Sequence, residues 1–134
     1  MMIAGIGTDL ITVERMERVW RRHGERLCAH ILSPEEHQEF SAVKDPARWL
    51  AKRWAAKEAF SKAAGTGMRA PLKWAGITVT HDALGCPGLA FAPFIQAWLH
   101  RRGIENCHLS ISDEREIACA FVVLESKESK NVAA

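Results

Sequence analysis

Apolar residues cluster near both ends of the chain in patterns typical of β-strands. The stretch from Ile3 to Ile11 is apolar apart from Gly5, Gly7 and a polar Thr8-Asp9 pair, which predicts a buried strand that another backbone approaches closely. The stretch from Ile117 to Leu124 is almost wholly apolar and predicts a second buried strand. We therefore expect Asp9 near the end of the first strand.

Alternation of apolar and polar residues predicts further strands in the second half of the chain. Residues 77–81 alternate, and residues 82–88 have the composition of a hairpin turn that leads into a partner strand at 89–91. Residues 107–112 also alternate, with the apolar side chains on one face of the predicted strand. The other face carries His108, Ser110 and Ser112.

Capping signals predict helices between these strands. Thr12 can cap a helix that runs to about Arg22 and stops at Gly24. Pro93 opens a later helix that ends at Gly103.

Two stronger start signals lie in the middle of the chain. Ser33-Pro34-Glu35-Glu36 has the form of a capping box and predicts a short helix to about Ala42. Asp45-Pro46 opens the longest helical pattern, which runs to about Ala64 before the Gly65-Thr66-Gly67 turn. Strands at both ends with helices grouped between them predict an α+β fold, with a mixed or antiparallel sheet packed against helices.

Composition limits the domain count and the function classes. A chain of 134 residues with 48% hydrophobic residues is sized for one domain, which we place at 1–124, followed by a polar, frayed tail at 125–134. A net charge of +2 does not demand a nucleic-acid partner. Four cysteines without a CxxC pair indicate reduced thiols rather than zinc ligands. The chain shows no targeting or membrane-spanning pattern, so we expect a cytoplasmic protein with no membrane partner.

The long helix carries the strongest candidate for chemistry. Lys57, Glu58, Ser61 and Lys62 are spaced within one turn and are expected to form one surface. Its ammonium groups and the following glycine turn suit a phosphate, and Glu58 suits a hard cation bridged to that phosphate. The alternative is a solvated helix face that binds nothing.

Asp9 and His108 are open to two interpretations each. Asp9 is a second candidate magnesium ligand or a turn residue before the first helix. His108 is a functional side chain or a hydrogen-bonded structural residue. Gly5-x-Gly7 lacks the third glycine of a dinucleotide-binding loop, so a nicotinamide site is not predicted.

Arginines are spaced along one side of the first predicted helix. Arg15, Arg18 and Arg22 recur three and four positions apart, and Arg26 follows. Such a stripe is either a solvated face or a docking surface for an acidic partner.

In their order along the chain, four segments together resemble the short bacterial holo-acyl-carrier-protein synthases. The resemblance spans about residues 3 to 124 and rests on Gly5-Ile6-Gly7-Thr8-Asp9-Leu10-Ile11, Arg53-Trp54-Ala55-Ala56-Lys57-Glu58-Ala59-Phe60-Ser61-Lys62-Ala63, Gly65-Thr66-Gly67 and His108-Leu109-Ser110-Ile111-Ser112. It implies a 4'-phosphopantetheinyl transferase fold and transfer of the 4'-phosphopantetheine arm of coenzyme A to a serine of apo-acyl-carrier protein, in support of fatty acid biosynthesis.

The resemblance also implies roles for individual residues. Asp9 and Glu58 are the implied ligands of Mg²⁺, and Lys62 joins them as a catalytic residue. A homotrimer is implied, with sites between subunits and His108 reaching the coenzyme across the boundary. The implied carrier-protein surface consists of Arg15, Arg22 and Arg26. The residues implied to bind coenzyme A are Arg53, Lys57, Ser61, Lys62, Gly65, Thr66, Gly67, Pro87 and His108.

Two positions depart from the family pattern. Cys86 stands where many members have lysine between glycine and proline, and Asp113 stands where many have a second histidine. A cation at the coenzyme phosphates and a basic side chain are therefore missing here. From the residues alone, a phosphate-binding regulator and a structural module stay open as alternatives, and the general base is not assigned.

Overall fold

The computed structural model describes residues 1–127 and has the α+β architecture predicted from the sequence. A 3-10 helix at Trp74–Gly76 precedes β2. The strands are β1 (Met2–Thr12), β2 (Ile77–His81), β3 (Pro87–Phe91), β4 (Ile104–Asp113) and β5 (Ile117–Ser126). The helices are α1 (Val13–His23), α2 (Glu25–Ile31), α3 (Pro34–Phe40), α4 (Pro46–Ala63) and α5 (Pro93–Arg101).

The strands form two antiparallel sheets. The larger sheet has the order β1-β5-β4, so that β5 lies in the middle and pairs along its length with both neighbours. The smaller sheet is the β2-β3 hairpin, paired from Ile77 with Phe91 to His81 with Pro87. An antiparallel arrangement follows from the chain order, because β4 and β5 are joined by a short turn.

Helix α4 lies at the centre of the molecule and packs against β1 and β5. Its alanines and Phe60 are buried, and Phe60 contacts the Phe91 ring with centroids 4.8 Å apart. Trp54 stacks on Trp74 on another side of the helix, at a centroid distance of 4.4 Å. A helix enclosed on several sides needs apolar residues around most of its circumference, which explains its alanine-rich sequence.

Gly5 and Gly7 bring the backbones of β1 and α4 together, as the sequence pattern predicted. A Cβ atom on Gly5 would lie 1.9 Å from the carbonyl oxygen of Ala63, and one on Gly7 would lie 2.0 Å from that of Ala59. No side chain fits at such distances, so only glycine allows this approach. The approach places Asp9 of β1 beside the last two turns of α4.

The predicted helix caps are present. Thr12 and Asp45 accept hydrogen bonds from the backbone N–H groups of Arg15 and Arg48, and Ser33 and Glu36 form a complete capping box. Gly24, with a φ of 53°, ends α1.

Three expectations need correction. Helix α2 was not predicted; its N-cap is Gly24, which provides no side-chain hydrogen bond. Strand β1 is buried on one face only, since Ile6 and Leu10 are each 59% exposed on the other. The closing strand, predicted to end at Leu124, runs to Ser126, and positions 128–134 of the predicted tail lie outside the described residues. Among residues 1–127, none of the helices combines the length and the hydropathy that crossing a bilayer requires.

Candidate active site

Asp9, Glu58 and Lys62 meet at the edge formed by β1 and the end of α4; we call these three residues the carboxylate site. The Lys62 Nζ atom lies 3.0 Å from Asp9 Oδ1 and donates a second hydrogen bond of 3.0 Å to the Thr8 carbonyl oxygen. The Asp9 side chain is 15% exposed and that of Lys62 is 52% exposed. Asp9, which the resemblance assigns to one metal site with Glu58, thus lies beside the long helix.

Glu58 lies close enough to Asp9 for the two charges to interact. Burial raises the pKa of Glu58, the negative charge of Asp9 raises it further, and Lys62 and the Ser61 hydroxyl oppose the change. Ser61 is buried and donates its hydroxyl to the Glu58 carbonyl oxygen at 2.8 Å, with Glu58 Oε2 at 3.5 Å. Two carboxylates that repel one another, with one ammonium group in contact with Asp9, form a place where additional positive charge is favourable.

The donor set of this site fits magnesium. Mg²⁺ is commonly held in proteins by one or two carboxylates, with waters and substrate phosphates completing the octahedron. Within residues 1–127 there is no cluster of three or more histidine, cysteine, aspartate or glutamate side chains that would hold a metal by itself. Asp9 and Glu58 are thus suited to a cation that shares its coordination with a phosphate ligand.

The glycine turn continues directly from the carboxylate site. The N–H of Gly65 donates to the Lys62 carbonyl oxygen at 3.0 Å, and that of Gly67 donates to the Ser61 carbonyl oxygen at 3.2 Å. Both glycines have positive φ values, 80° and 64°, which favour glycine at these positions. Thr66 donates its hydroxyl to the Gly67 carbonyl oxygen at 2.8 Å. The turn thus lies at the same end of α4 as Lys62.

Lys57 does not share this surface, so the expectation of one common face is wrong for this residue. Its side chain is 0% exposed, and Nζ donates to the carbonyl oxygens of Ile31 and Trp74 at 2.6 and 3.1 Å and to Glu36 Oε1 at 2.6 Å. Burial lowers the pKa of Lys57, and the negative charge of Glu36 opposes that shift. Successive helical residues point about 100° apart, so Lys57 faces the interior while Glu58 faces β1.

Arg53 is also buried, on the side of α4 away from the carboxylate site. Its guanidinium group lies 3.7 Å from the centre of the Trp49 ring, with Nε 3.8 Å from Glu36 Oε2 and Nη2 4.0 Å from Glu39 Oε2. Among the described residues, Arg53 Nε has no hydrogen-bond partner. Arg53 and Glu58 are five positions apart in α4, which corresponds to a rotation of about 140° around the helix axis.

Arg53 and Pro87 line a common cavity of about 190 Å³. Its other lining residues are Lys52, His81, Gly85, Ile111 and Asp113. Asp113, one of the two departures from the family pattern, contacts Arg48 Nη1 at 3.2 Å and Lys52 Nζ at 4.0 Å. This position therefore holds an anion paired with cations of α4 instead of a basic side chain.

His108 lies on the face of the large sheet that is turned away from α4. It is exposed, as are Ser110 and Ser112, whereas Leu109 is buried, which confirms the predicted alternation. His108 Nε2 lies 2.6 Å from Glu125 Oε1 on the neighbouring strand. Hydrogen bonding to His108 is the largest of the effects that lower the pKa of Glu125.

The arginine stripe of α1 is exposed to solvent. Arg15, Arg18, Arg22 and Arg26 all have exposed side chains, while Met16 of the same helix is fully buried. The stripe thus carries four exposed positive charges, and none of its arginine side chains is buried.

Comparison with known proteins identifies the family. The family model described as "4'-phosphopantetheinyl transferase superfamily" matches residues 5–122. The chain belongs to this superfamily. This 4'-phosphopantetheinyl transferase chain is 54% identical over 124 residues to the holo-[acyl-carrier-protein] synthase of Laribacter hongkongensis. The alignment covers 92% of this chain and 99% of that protein.

Solved structures of transferase-superfamily relatives have the same fold. The holo-[acyl-carrier-protein] synthase of Neisseria meningitidis matches with a TM-score of 0.91 and 45% identity, covering 93% of this chain and 100% of that one. A Bacillus anthracis synthase in complex with "CoA (3',5'-ADP)" matches with a TM-score of 0.79 and 35% identity, covering 95% and 100% of the two chains. A Helicobacter pylori synthase in complex with coenzyme A matches at 0.77 and 27% identity, covering 90% and 99%.

Sequence reasoning missed Glu36 as a tertiary contact of this transferase-superfamily chain. It was recognised as a capping residue, but the same carboxylate also accepts from Lys57 Nζ and from the backbone N–H of Val79, at 2.6 and 3.0 Å. The available signal was the position of Lys57 between Trp54 and Phe60, aromatic residues three positions away on the same side of α4. A lysine in such a position needs a buried carboxylate partner.

Proposed function

We propose that the protein transfers the 4'-phosphopantetheine moiety of coenzyme A to a serine of an apo-acyl-carrier protein, releasing adenosine 3',5'-bisphosphate. The observation that carries the proposal is the meeting of Asp9, Glu58 and Lys62 beside a glycine turn, in a chain of this superfamily. The relatives' names and the coenzyme A complexes of two of them support the choice of substrates. By analogy with those relatives, we assign the reaction to the cytoplasm and to fatty acid biosynthesis.

The catalytic contribution of the chain is positioning and charge. Asp9 and Glu58 are placed to hold Mg²⁺, which when bound withdraws negative charge from the pyrophosphate of the coenzyme. Lys62 adds a positive charge at the same place, and the Gly65-Thr66-Gly67 turn follows it directly along the chain. As the serine hydroxyl gives up its proton and its oxygen bonds to the β-phosphorus, the bond from that phosphorus to the bridging pyrophosphate oxygen breaks. Fixed positive charge stabilises the bridging oxygen, which leaves as part of adenosine 3',5'-bisphosphate.

Within one protomer, the Arg53 cavity and the carboxylate site lie on different sides of α4, about 140° apart around the helix axis. A homotrimer with sites between subunits resolves this separation, because a neighbouring protomer can supply Arg53, Pro87 and His108. Supporting this assembly, the outer face of the large sheet exposes Ile6, Leu10 and Phe121, the last at 43%. Exposed apolar patches of this kind mark protein interfaces.

We assign the carrier-protein surface to α1 and the start of α2. Arg15, Arg22 and Arg26 are exposed cations, and carrier proteins of this class are acidic, so complementary charge would steer and orient the encounter.

The direct test is mass spectrometry of apo-acyl-carrier protein incubated with coenzyme A, Mg²⁺ and this protein. We expect the carrier protein to gain the mass of one phosphopantetheine group, and to gain none with Asp9→Ala, with Glu58→Ala or after chelation. Glu114→Gln, a substitution at an exposed turn, is the control that keeps activity. Coenzyme A that stabilises the protein against heat without any change in the carrier protein would instead favour a phosphate-binding regulator.

A further inference from the structure

We propose that Lys62 occupies the cation position of the carboxylate site in the metal-free protein, and that binding of a divalent cation displaces its ammonium group from Asp9. This inference rests on the proposed function, because it assumes that Asp9 and Glu58 are metal ligands. It adds a second task for Lys62: the side chain first competes with the metal, and after displacement it is available to the phosphate.

The position of the Lys62 ammonium group is the first support. It lies 3.0 Å from Asp9 Oδ1 and 3.0 Å from the Thr8 carbonyl oxygen, so it already uses the Asp9 oxygen that faces α4. A divalent cation bound to the same oxygen would lie next to this ammonium group, and the repulsion between the two positive charges favours departure of the lysine.

The exposure of the two partners shows which one would move. Asp9 is largely buried in a paired strand against α4, whereas half of the Lys62 side chain is exposed. A lysine side chain has a long flexible stem that can turn into solvent, while the aspartate is held by its short side chain and paired backbone. An ion pair with such an exposed partner contributes little stability. Breaking it therefore costs little free energy when the metal binds.

The local charge balance is the second support. With Lys62 in place, two carboxylates face one ammonium group and the site has a formal charge of −1. A divalent cation beside the same three groups changes the formal charge to +1, which disfavours metal without an anion and favours metal together with a phosphate. Displacement of Lys62 therefore links metal binding to phosphate binding, because the released ammonium group gains a partner only when the phosphate arrives.

The consequence is a substitution with opposite effects on two measurements. Removing the Lys62 charge removes the competitor, so the free protein should bind the metal more tightly. The same change removes a positive charge that the transition state needs, so transfer should fall. A residue with only a structural role would weaken both, and a residue that only contacts the phosphate would leave the metal affinity of the free protein unchanged.

The experiment measures Mn²⁺ affinity of the free protein by electron paramagnetic resonance, without coenzyme A. Lys62→Met and Lys62→Gln should each bind Mn²⁺ about two- to fivefold more tightly than the parent, the range expected for loss of an exposed ion pair. Phosphopantetheine transfer by the same variants should fall at least about tenfold. Lys52→Met is the matched control, since this α4 lysine pairs with Asp113 in the other cavity and should leave Mn²⁺ affinity unchanged.

The outcomes separate this inference from the proposed function. If Asp9→Asn and Glu58→Gln bound Mn²⁺ as the parent does, the proposed metal site would be wrong and the inference would fail with it. If those two variants lost Mn²⁺ binding while both Lys62 variants bound it equally or more weakly than the parent, the metal site would stand and the displacement model would be wrong. Tighter binding by the Lys62 variants with loss of transfer confirms the model.

Discussion

At the scale of single residues, Glu58 is held where ionisation is unfavourable. Burial and the neighbouring charge of Asp9 both raise its pKa above the ordinary value for glutamate. The folded state therefore binds this proton more tightly than the unfolded state does. Stability is highest below the unfolded-state pKa, decreases as the pH rises to the raised folded-state pKa, and stays at the lower value above it.

We predict that Glu58→Gln raises the melting temperature of the metal-free protein at neutral pH, because the amide has no charge to be repelled by Asp9. The difference from the parent should shrink as the pH falls from the raised folded-state pKa to the ordinary pKa of glutamate, and below that value, where the parent side chain is neutral in both states, it should be smallest. Thermal unfolding of both proteins across this pH range, with chelator present, measures the difference in melting temperature. A lower melting temperature at neutral pH would show that ionised Glu58 stabilises the fold, contrary to this prediction.

Single residues also show how far the sequence could predict the site. Glu58 and Lys62 are one helical turn apart, so their proximity follows from helix geometry, and the resemblance added Asp9. The interior position of Lys57 could not be derived in this way, because it depends on α3 and on the 3-10 helix before β2 packing over that side of α4. The spacing of residues determines which of them share a face of one helix, whereas their burial depends on the other elements that pack around that helix.

At the scale of elements, Lys57 and Glu36 join α4 to α3 through a buried ion pair. We predict that Lys57→Met destabilises the protein by about 3–5 kcal/mol, because it leaves the buried carboxylate of Glu36 without its cation. Lys62→Met should change stability by less than about 1 kcal/mol, since that lysine is exposed. Urea unfolding of the two variants measures both effects. Equal stabilities for the two variants would contradict the buried assignment of Lys57.

The exposed face of α1 is the second element whose role can be tested. We predict that reversing Arg15 and Arg22 together to glutamate raises the KM for carrier protein and reduces its dependence on ionic strength, because screened surface charges steer this encounter. The KM for coenzyme A should stay nearly unchanged. Steady-state kinetics at low and physiological salt measure both constants, and Arg18→Glu, outside the residues that match the family pattern, should have a smaller effect. A raised KM for coenzyme A alone would place this helix at the nucleotide site.

Helix starts were predicted well where a side chain makes the cap. Thr12, Ser33 and Asp45 each accept a backbone hydrogen bond at the position that their sequence context indicated. Helix α2 was missed because it is seven residues long and begins at a glycine without such a bond. Its formation depends on tertiary packing of Leu27, Cys28 and Ile31, which no local signal contains.

At the scale of the whole molecule, the outer face of the large sheet combines apolar residues with His108. We predict that Phe121→Glu converts the proposed homotrimer to monomers and abolishes transfer, because burying an unpaired charge between protomers is strongly unfavourable. Light scattering coupled to gel filtration measures the mass. Leu84→Glu, at a hairpin position that is 96% exposed, is the control and should change neither mass nor activity. If the parent protein were monomeric at concentrations where it is fully active, the proposal that active sites form between subunits would be wrong.

The middle position of β5 determines when this protein can become active during its synthesis. Strand β1, which carries Asp9, emerges from the ribosome first, but its pairing partner in the sheet is β5, with Thr12 opposite Ile117. A nascent chain that has reached Glu116 thus contains Asp9, Glu58 and Lys62, yet β1 and β4 both lack the strand that lies between them. Interrupted translation before β5 should therefore give inactive chains with unpaired strand edges, which are prone to aggregate, rather than partly active fragments.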